Sequence, residues 1–81
     1  MKIKILGTGC PKCNQLEAVT REALQELGID AEVQKVKDIN EIMAYPVMMT
    51  PALVINEKVV LSGKVPGKSE VAALLQKAAA A

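Results

Sequence analysis

Ile5-Leu6-Gly7-Thr8-Gly9-Cys10-Pro11-Lys12-Cys13 joins a stretch of strand-like alternation to a stretch of helical spacing. Upstream, Lys2-Ile3-Lys4-Ile5-Leu6 alternates polar and apolar side chains, the period of a β-strand. Gly7-Thr8-Gly9 breaks that pattern. Pro11 suits the first turn of a helix, where a missing N–H leaves no bond unmade. Downstream, Cys13, Leu16, Val19, Ala23, Leu24 and Leu27 fall on one helical face. Gly28 follows as the C′ residue that ends the helix. Both cysteines of the chain are thereby set where a strand hands over to a helix.

Working outward, Ala31 to Val36 reads as a second strand, with Ala31 and Val33 alternating with Glu32 and Gln34. Asp38 and Glu41 are spaced as a capping box, with Asp in the place of Ser or Thr. Ile39, Ile42 and Met43 give the short helix behind it an apolar face. Tyr45-Pro46 ends that helix, because the residue before a proline is pushed out of the helical region. Ala52-Leu53-Val54-Ile55 is continuously apolar, as a central strand is. Asn56-Glu57 then separates it from Lys58-Val59-Val60-Leu61, which reads as a β-hairpin, although Glu57 is a poor residue for a positive-φ turn. After a loop with Gly63, Pro66 and Gly67, the residues Val71, Leu74, Leu75 and Ala78 mark a last amphipathic helix.

The element order is β-α-β-α-β-β-α. An early β-α-β unit favours a parallel central pair, and the later hairpin adds an antiparallel edge. The expected fold is α/β, one mixed four-stranded sheet with helices on both faces. Residues 1–81 are expected to form a single domain, the upper bound this length allows. About half the residues are hydrophobic (51%), with one Tyr and neither Trp nor Phe, so the core must be aliphatic.

Composition also narrows the function. Net charge is +1 and no basic run occurs, which argues against nucleic-acid binding. No apolar run approaches the roughly 20 residues of a membrane span. Met1 to Leu6 is too short and too charged for a secretory core. A cytoplasmic location is the expectation. The chain has no histidine, so the commonest general base and the commonest metal ligand are missing.

Cys10-Pro11-Lys12-Cys13 carries the chemistry. Cys10 falls at or near a helix N-cap, where unpaired N–H groups and the positive end of the helix dipole favour an anion. A thiolate is the reactive form of cysteine, so this position raises reactivity near neutral pH. Lys12 adds a nearby positive charge. Gly7 and Gly9 carry no side chains that would cover Cys10. Cys13 continues the stripe that includes Leu16, so its sulfur is expected to face inward, one turn from Cys10. The asymmetry gives a sequence of steps. Cys10 attacks a partner's disulfide, and Cys13 then attacks Cys10 and releases the reduced partner.

A cysteine pair has two other uses. A stabilising crosslink is a poor fit, because closing so short a loop is worth only about 2 kcal/mol, against about 3 for fifteen residues. Structural zinc wants four ligands, and this chain offers two thiolates and no histidine. No metal is expected from that count. A two-coordinate Cu(I) site is compatible with two thiolates. However, Cu(I)-carrier domains with this motif run β-α-β-β-α-β, whereas here a helix separates the second and third strands.

Thr50-Pro51 before the strand Ala52 to Ile55, combined with Cys10-Pro11-Lys12-Cys13 after the first strand, resembles the thioredoxin superfamily. The likeness covers nearly the whole chain. It is strongest to small prokaryotic members, the redox-active disulfide proteins, through Ile5 to Cys10, Glu22 to Ala31 and Thr50 to Leu53. The resemblance implies a minimal thioredoxin fold and a cis Thr50–Pro51 bond opposite the dithiol. It implies exchange of electrons with disulfide-containing substrate proteins and supply from a thioredoxin-reductase-type donor. No cofactor is implied beyond the cysteine pair, and a monomer is expected. Thr50 would offer its backbone to an extended substrate segment, and Gly63 would let a partner lie close. A glutathione-dependent, glutaredoxin-like use of the same fold is the nearest alternative.

There are departures. Gly9 stands where longer thioredoxins have Trp, and Lys4 stands where they have a buried Asp that helps move the second thiol's proton. Tyr45 is expected to pack over its loop and Met43 to join the core. Met48 and Met49 are neighbours in an extended segment and so point opposite ways.

Overall fold

The structure, a computed structural model, describes residues 1–9, 11–47 and 49–80. The elements are β1 (Lys2–Leu6), α1 (Pro11–Leu27), β2 (Glu32–Val36), α2 (Ile39–Met43), β3 (Ala52–Ile55), β4 (Lys58–Ser62) and α3 (Lys68–Ala80). The sheet runs β2-β1-β3-β4. β1 is parallel to β2 and antiparallel to β3, which pairs antiparallel with β4. This is the four-stranded mixed sheet with three helices that the pattern predicts, a minimal thioredoxin fold, but the parallel pair is not central. β2 lies at the edge, and the central pair, β1 and β3, is antiparallel because β3 inserts on the far side of β1.

Strand alternation sorts the core onto two faces. Ile3 and Ile5 of β1, with Leu53 and Ile55 of β3, pack with Leu16, Ala23 and Leu24 of α1 and with Val71 and Leu75 of α3. Leu6, Ala52 and Val54 face the opposite way and pack with Ile42 of α2. β3 is buried along its whole length, which is why its sequence shows no alternation.

The turns explain the boundaries. Gly28 has φ +67, the Gly28 N–H donates to the Gln25 carbonyl and the Ile29 N–H to the Leu24 carbonyl. That is the Schellman closure expected of a C′ glycine. Asp38 caps α2 by accepting from the Asn40 N–H at 2.8 Å, one residue earlier than a capping box uses. Asn56 and Glu57 both have positive φ, +50 and +69, as a tight hairpin turn requires.

Glu57 adopts that unfavourable conformation because its carboxylate is held from outside the turn. Lys4 Nζ lies 2.8 Å from it, and the Tyr45 hydroxyl donates to it at 3.2 Å. Asn56 is tied to Lys2 by its side-chain carbonyl and by its own N–H.

The expected apolar face of α2 needs correction. Ile42 is buried, whereas Ile39 is 56% and Met43 73% exposed. A five-residue helix lays little more than one turn on the sheet, and a single side chain fills that contact. Met43 is therefore not a core residue.

Candidate functional site

β1, β3 and β4 bring their ends together where α1 begins. Leu6, the last residue of β1, pairs with Val36 on one side and Ala52 on the other. Gly7 follows, buried, with its N–H donating to the Val36 carbonyl at 3.0 Å. Ala52 pairs with Ser62 of β4, so Pro51 and Gly63 lie just beyond the same end. The Gly63 N–H donates to the Pro51 carbonyl at 2.9 Å.

The Thr50–Pro51 bond is cis, as the resemblance implies. Pro51 is fully buried and Thr50 is exposed. Gly63 is half-buried with φ +80, a conformation that glycine adopts at little cost.

Cys13 lies on the buried face of α1, 2% exposed, in line with Leu16. Its sulfur occupies the space where any side chain on Gly7 would start. A Cβ on Gly7 would collide with Cys13 Sγ, come within 3.2 Å of Cys13 Cβ and stand 4.0 Å from Pro51 Cα. Gly7, Cys13 and Pro51 thus form one packed group. A similar seat occurs at Gly63, where a Cβ would meet Met49 Cβ at 3.2 Å and Met49 Sδ at 3.3 Å. Met49 is 64% exposed.

The sequence-predicted residues divide accordingly. Pro11 and Lys12 are exposed in the first turn of α1, and Cys13 points inward. Cys13 and Pro51 meet through Gly7, and Gly63 joins them through the Pro51 carbonyl. Cys10 and Met48 lie outside the described residues. Motif reading misses the contact of Gly7 with Cys13, because the missing side chain registers there only as leaving Cys10 uncovered. The signal was present: continuing the alternation of Ile3 and Ile5 puts position 7 on the α1 face, where Cys13 sits.

Lys4 does not turn towards this group. Its ammonium donates to the Tyr45 hydroxyl at 2.7 Å, pairs with Glu57 and lies 5.4 Å from the Tyr45 ring centre. The hydrogen bond to Glu57, helped by the one to Tyr45, raises the Lys4 pKa above its ordinary value. The same bond lowers that of Glu57. Tyr45 also packs against the Leu6–Ile42 cluster, so it does more than cover its loop. A groove of about 380 Å³ opens beside this network, lined in part by Lys4, Glu41, Tyr45 and Glu57. Among the described residues, none of those predicted for the site lines it.

Comparison with known proteins agrees with this geometry. A family described as "Thioredoxin domain" matches residues 1–76. A protein named Thioredoxin from Methanocaldococcus jannaschii is 48% identical over 69 residues, covering 85% of this chain and 79% of the relative. A protein of the same name from Methanothermobacter thermautotrophicus is 41% identical over 75 residues, 93% of this chain and 97% of the relative. On these matches the chain belongs to the thioredoxin superfamily, among its small prokaryotic members.

Proposed function

We infer that this chain is a thiol–disulfide oxidoreductase that works through the Cys10-Pro11-Lys12-Cys13 dithiol. The observation that carries the reading is the burial of Cys13 against Gly7, in the first turn of α1. A sulfur so placed is shielded from outside reagents yet belongs to the turn that begins beside Cys10. Shielding suits a resolving thiol, and the helix start suits an attacking one.

The exchange is a two-electron reduction of the partner. The Cys10 thiolate attacks one sulfur of the partner's disulfide, forming a mixed disulfide and expelling the partner's first thiolate. Cys13 gives up its proton and attacks the Cys10 sulfur. A Cys10–Cys13 disulfide forms, and the partner's second sulfur leaves as a thiolate and takes up a proton. A thioredoxin-reductase-type donor restores the dithiol. Pro11 fixes the first helical turn, and Lys12 favours the Cys10 thiolate. The exposed Thr50 backbone and Gly63 receive an extended partner segment.

Residues 1–81 act as one monomeric domain in this reading. A cytoplasmic setting, where thiols are kept reduced, suits the chemistry. Among the described residues no helix is long and apolar enough to cross a membrane. Neither a glutathione-dependent route nor Cu(I) carriage is favoured by the family match.

Trapping tests the roles. Cys13→Ser should hold partner proteins as mixed disulfides through Cys10, which mass spectrometry identifies. The reverse substitution, Cys10→Ser, should trap few. If Cys10→Ser traps many partners and Cys13→Ser none, the roles are exchanged.

A further inference from the structure

We propose that Gly7 is a positioning residue for the resolving step, leaving open the buried seat from which the Cys13 sulfur attacks the mixed disulfide. The proposal rests on the dithiol reading above and adds a requirement to it. The φ of Gly7 is not in the left-handed region, so backbone strain does not require glycine here. Space does: a Cβ at this position would collide with Cys13 Sγ and stand 3.2 Å from Cys13 Cβ.

What yields when a methyl group is added decides the consequence. The Gly7 backbone is poorly placed to move. Its N–H is bonded to the Val36 carbonyl, and Leu6 before it is paired on both sides within the sheet. Pro51 closes the space behind, with its Cα 4.0 Å from the added atom. Cys13 Cβ is fixed by the buried face of α1. The atom most directly in the way is the end of the Cys13 side chain, so rotation about the Cys13 Cα–Cβ bond relieves the collision by moving the sulfur from its seat.

Displacement of that sulfur acts on one step. In resolution, a Cys13 S–Cys10 S bond forms as the Cys10 S–partner S bond breaks, and the incoming sulfur must approach along the axis of the breaking bond. The first step, attack by Cys10 on the partner, does not use Cys13. Gly7→Ala therefore slows resolution and leaves the first attack close to its original rate. Misplacement by a fraction of an ångström to 1 Å costs about tenfold to a hundredfold in such reactions. The Cys10–Cys13 disulfide also becomes harder to close, so the reduction potential moves to a less negative value.

Two measurements on the full chain test this. The first follows a model disulfide peptide by quenched-flow alkylation, separating mixed-disulfide formation from its resolution. The expected result for Gly7→Ala is an accumulated mixed disulfide, resolution slowed by about tenfold or more, and an unchanged first step. Equal slowing of both steps, or of neither, overturns the proposal. If the unsubstituted protein forms no mixed disulfide at all, the dithiol reading fails instead, which is a separate outcome.

The second measurement covers a variant that folds poorly. The loss in thermal midpoint caused by Gly7→Ala is compared in the original background and in Cys13→Ala, which removes the sulfur and keeps the Cβ. A loss that shrinks markedly in the Cys13→Ala background supports the contact. Equal losses in both backgrounds overturn it.

Discussion

The two faces of the sheet are built differently. On one, α1 and α3 bury a continuous aliphatic layer from Ile3, Ile5, Leu53 and Ile55 to Leu16, Ala23, Val71 and Leu75. On the other, α2 contributes Ile42 to a cluster of three sheet residues, and the space beside it is occupied by Lys4, Tyr45 and Glu57. Cys13 belongs to the first face, whereas the chain that reaches Pro51 leaves from the second. The site thus joins a sulfur held by a well-packed helix to a proline at the end of a thinly packed segment. Stability and positioning of Cys13 come from the aliphatic layer. The α2 face supplies a smaller, partly electrostatic share.

Core truncation tests that division most strongly. Leu16→Ala, three residues from Cys13 on the buried face, should cost about 3 kcal/mol in urea denaturation. It should also raise the alkylation rate of Cys13, because the packing that shields the sulfur is loosened. Ile42→Ala should cost less, about 2 kcal/mol, since a short helix with exposed neighbours can settle into the space. Cys13 alkylation should not change there. If Ile42→Ala costs as much as Leu16→Ala, the two faces are equivalent and the contrast fails.

The acid limb of stability is a smaller effect and divides between the faces. Glu57 is held below its ordinary value chiefly by its hydrogen bond to Lys4, and Glu17 by Lys35 with help from Arg21. A carboxylate whose pKa is lowered on folding contributes stability above its unfolded value, near 4.5. That contribution is lost as pH falls through the folded value. Lys4 has the opposite sign: its contribution is complete below its unfolded value, 10.5, and is lost only at higher pH. The urea midpoint should therefore fall below about pH 4.5. Glu57→Gln should flatten part of that fall and leave the share of Glu17 on α1. Glu57 is 64% exposed at its side chain, so added salt should shrink its part further.

Tyr45→Phe should have the smallest effect. The Lys4–Glu57 pair at 2.8 Å survives the loss of the hydroxyl, and the ring still covers the Leu6–Ile42 cluster. A urea midpoint nearly unchanged, with the Glu57 acid limb retained, is the expected outcome. A large loss would mean that the hydroxyl rather than the ion pair organises this face.

Much of this was legible in the chain. Residues 2–6 and 52–55 announce a partly buried and a fully buried strand by alternation and by its absence, and both lie inside the sheet. Gly28 marks the end of α1 because only a left-handed residue closes a Schellman turn at little cost. The seat of Cys13 followed from its spacing to Leu16. Thr20 was not legible. It lies fully buried in the α1 stripe because its hydroxyl donates to the Leu16 carbonyl at 2.8 Å, so burial leaves no polar atom unpaired. Hydrophobic patterning does not register a polar residue satisfied by its own helix.

Glu57 and Met43 mark the limits of local preference: the hairpin forms despite Glu57, and Met43 stays outside the core. Each was judged by local preference, and each was decided by distant neighbours, Lys4 and Tyr45 in one case and the narrow contact of α2 in the other. Local sequence determined the order of strands and helices, the helix start beneath the cysteine pair and the aliphatic nature of the core, because periodicity and turn chemistry act over a few residues. Only the tertiary structure decided that Gly7 backs the Cys13 sulfur, that Pro51 closes the same space and that Lys4 turns to Glu57. Those are questions of which atoms from separate segments compete for one volume, and they have no answer until the segments are packed together.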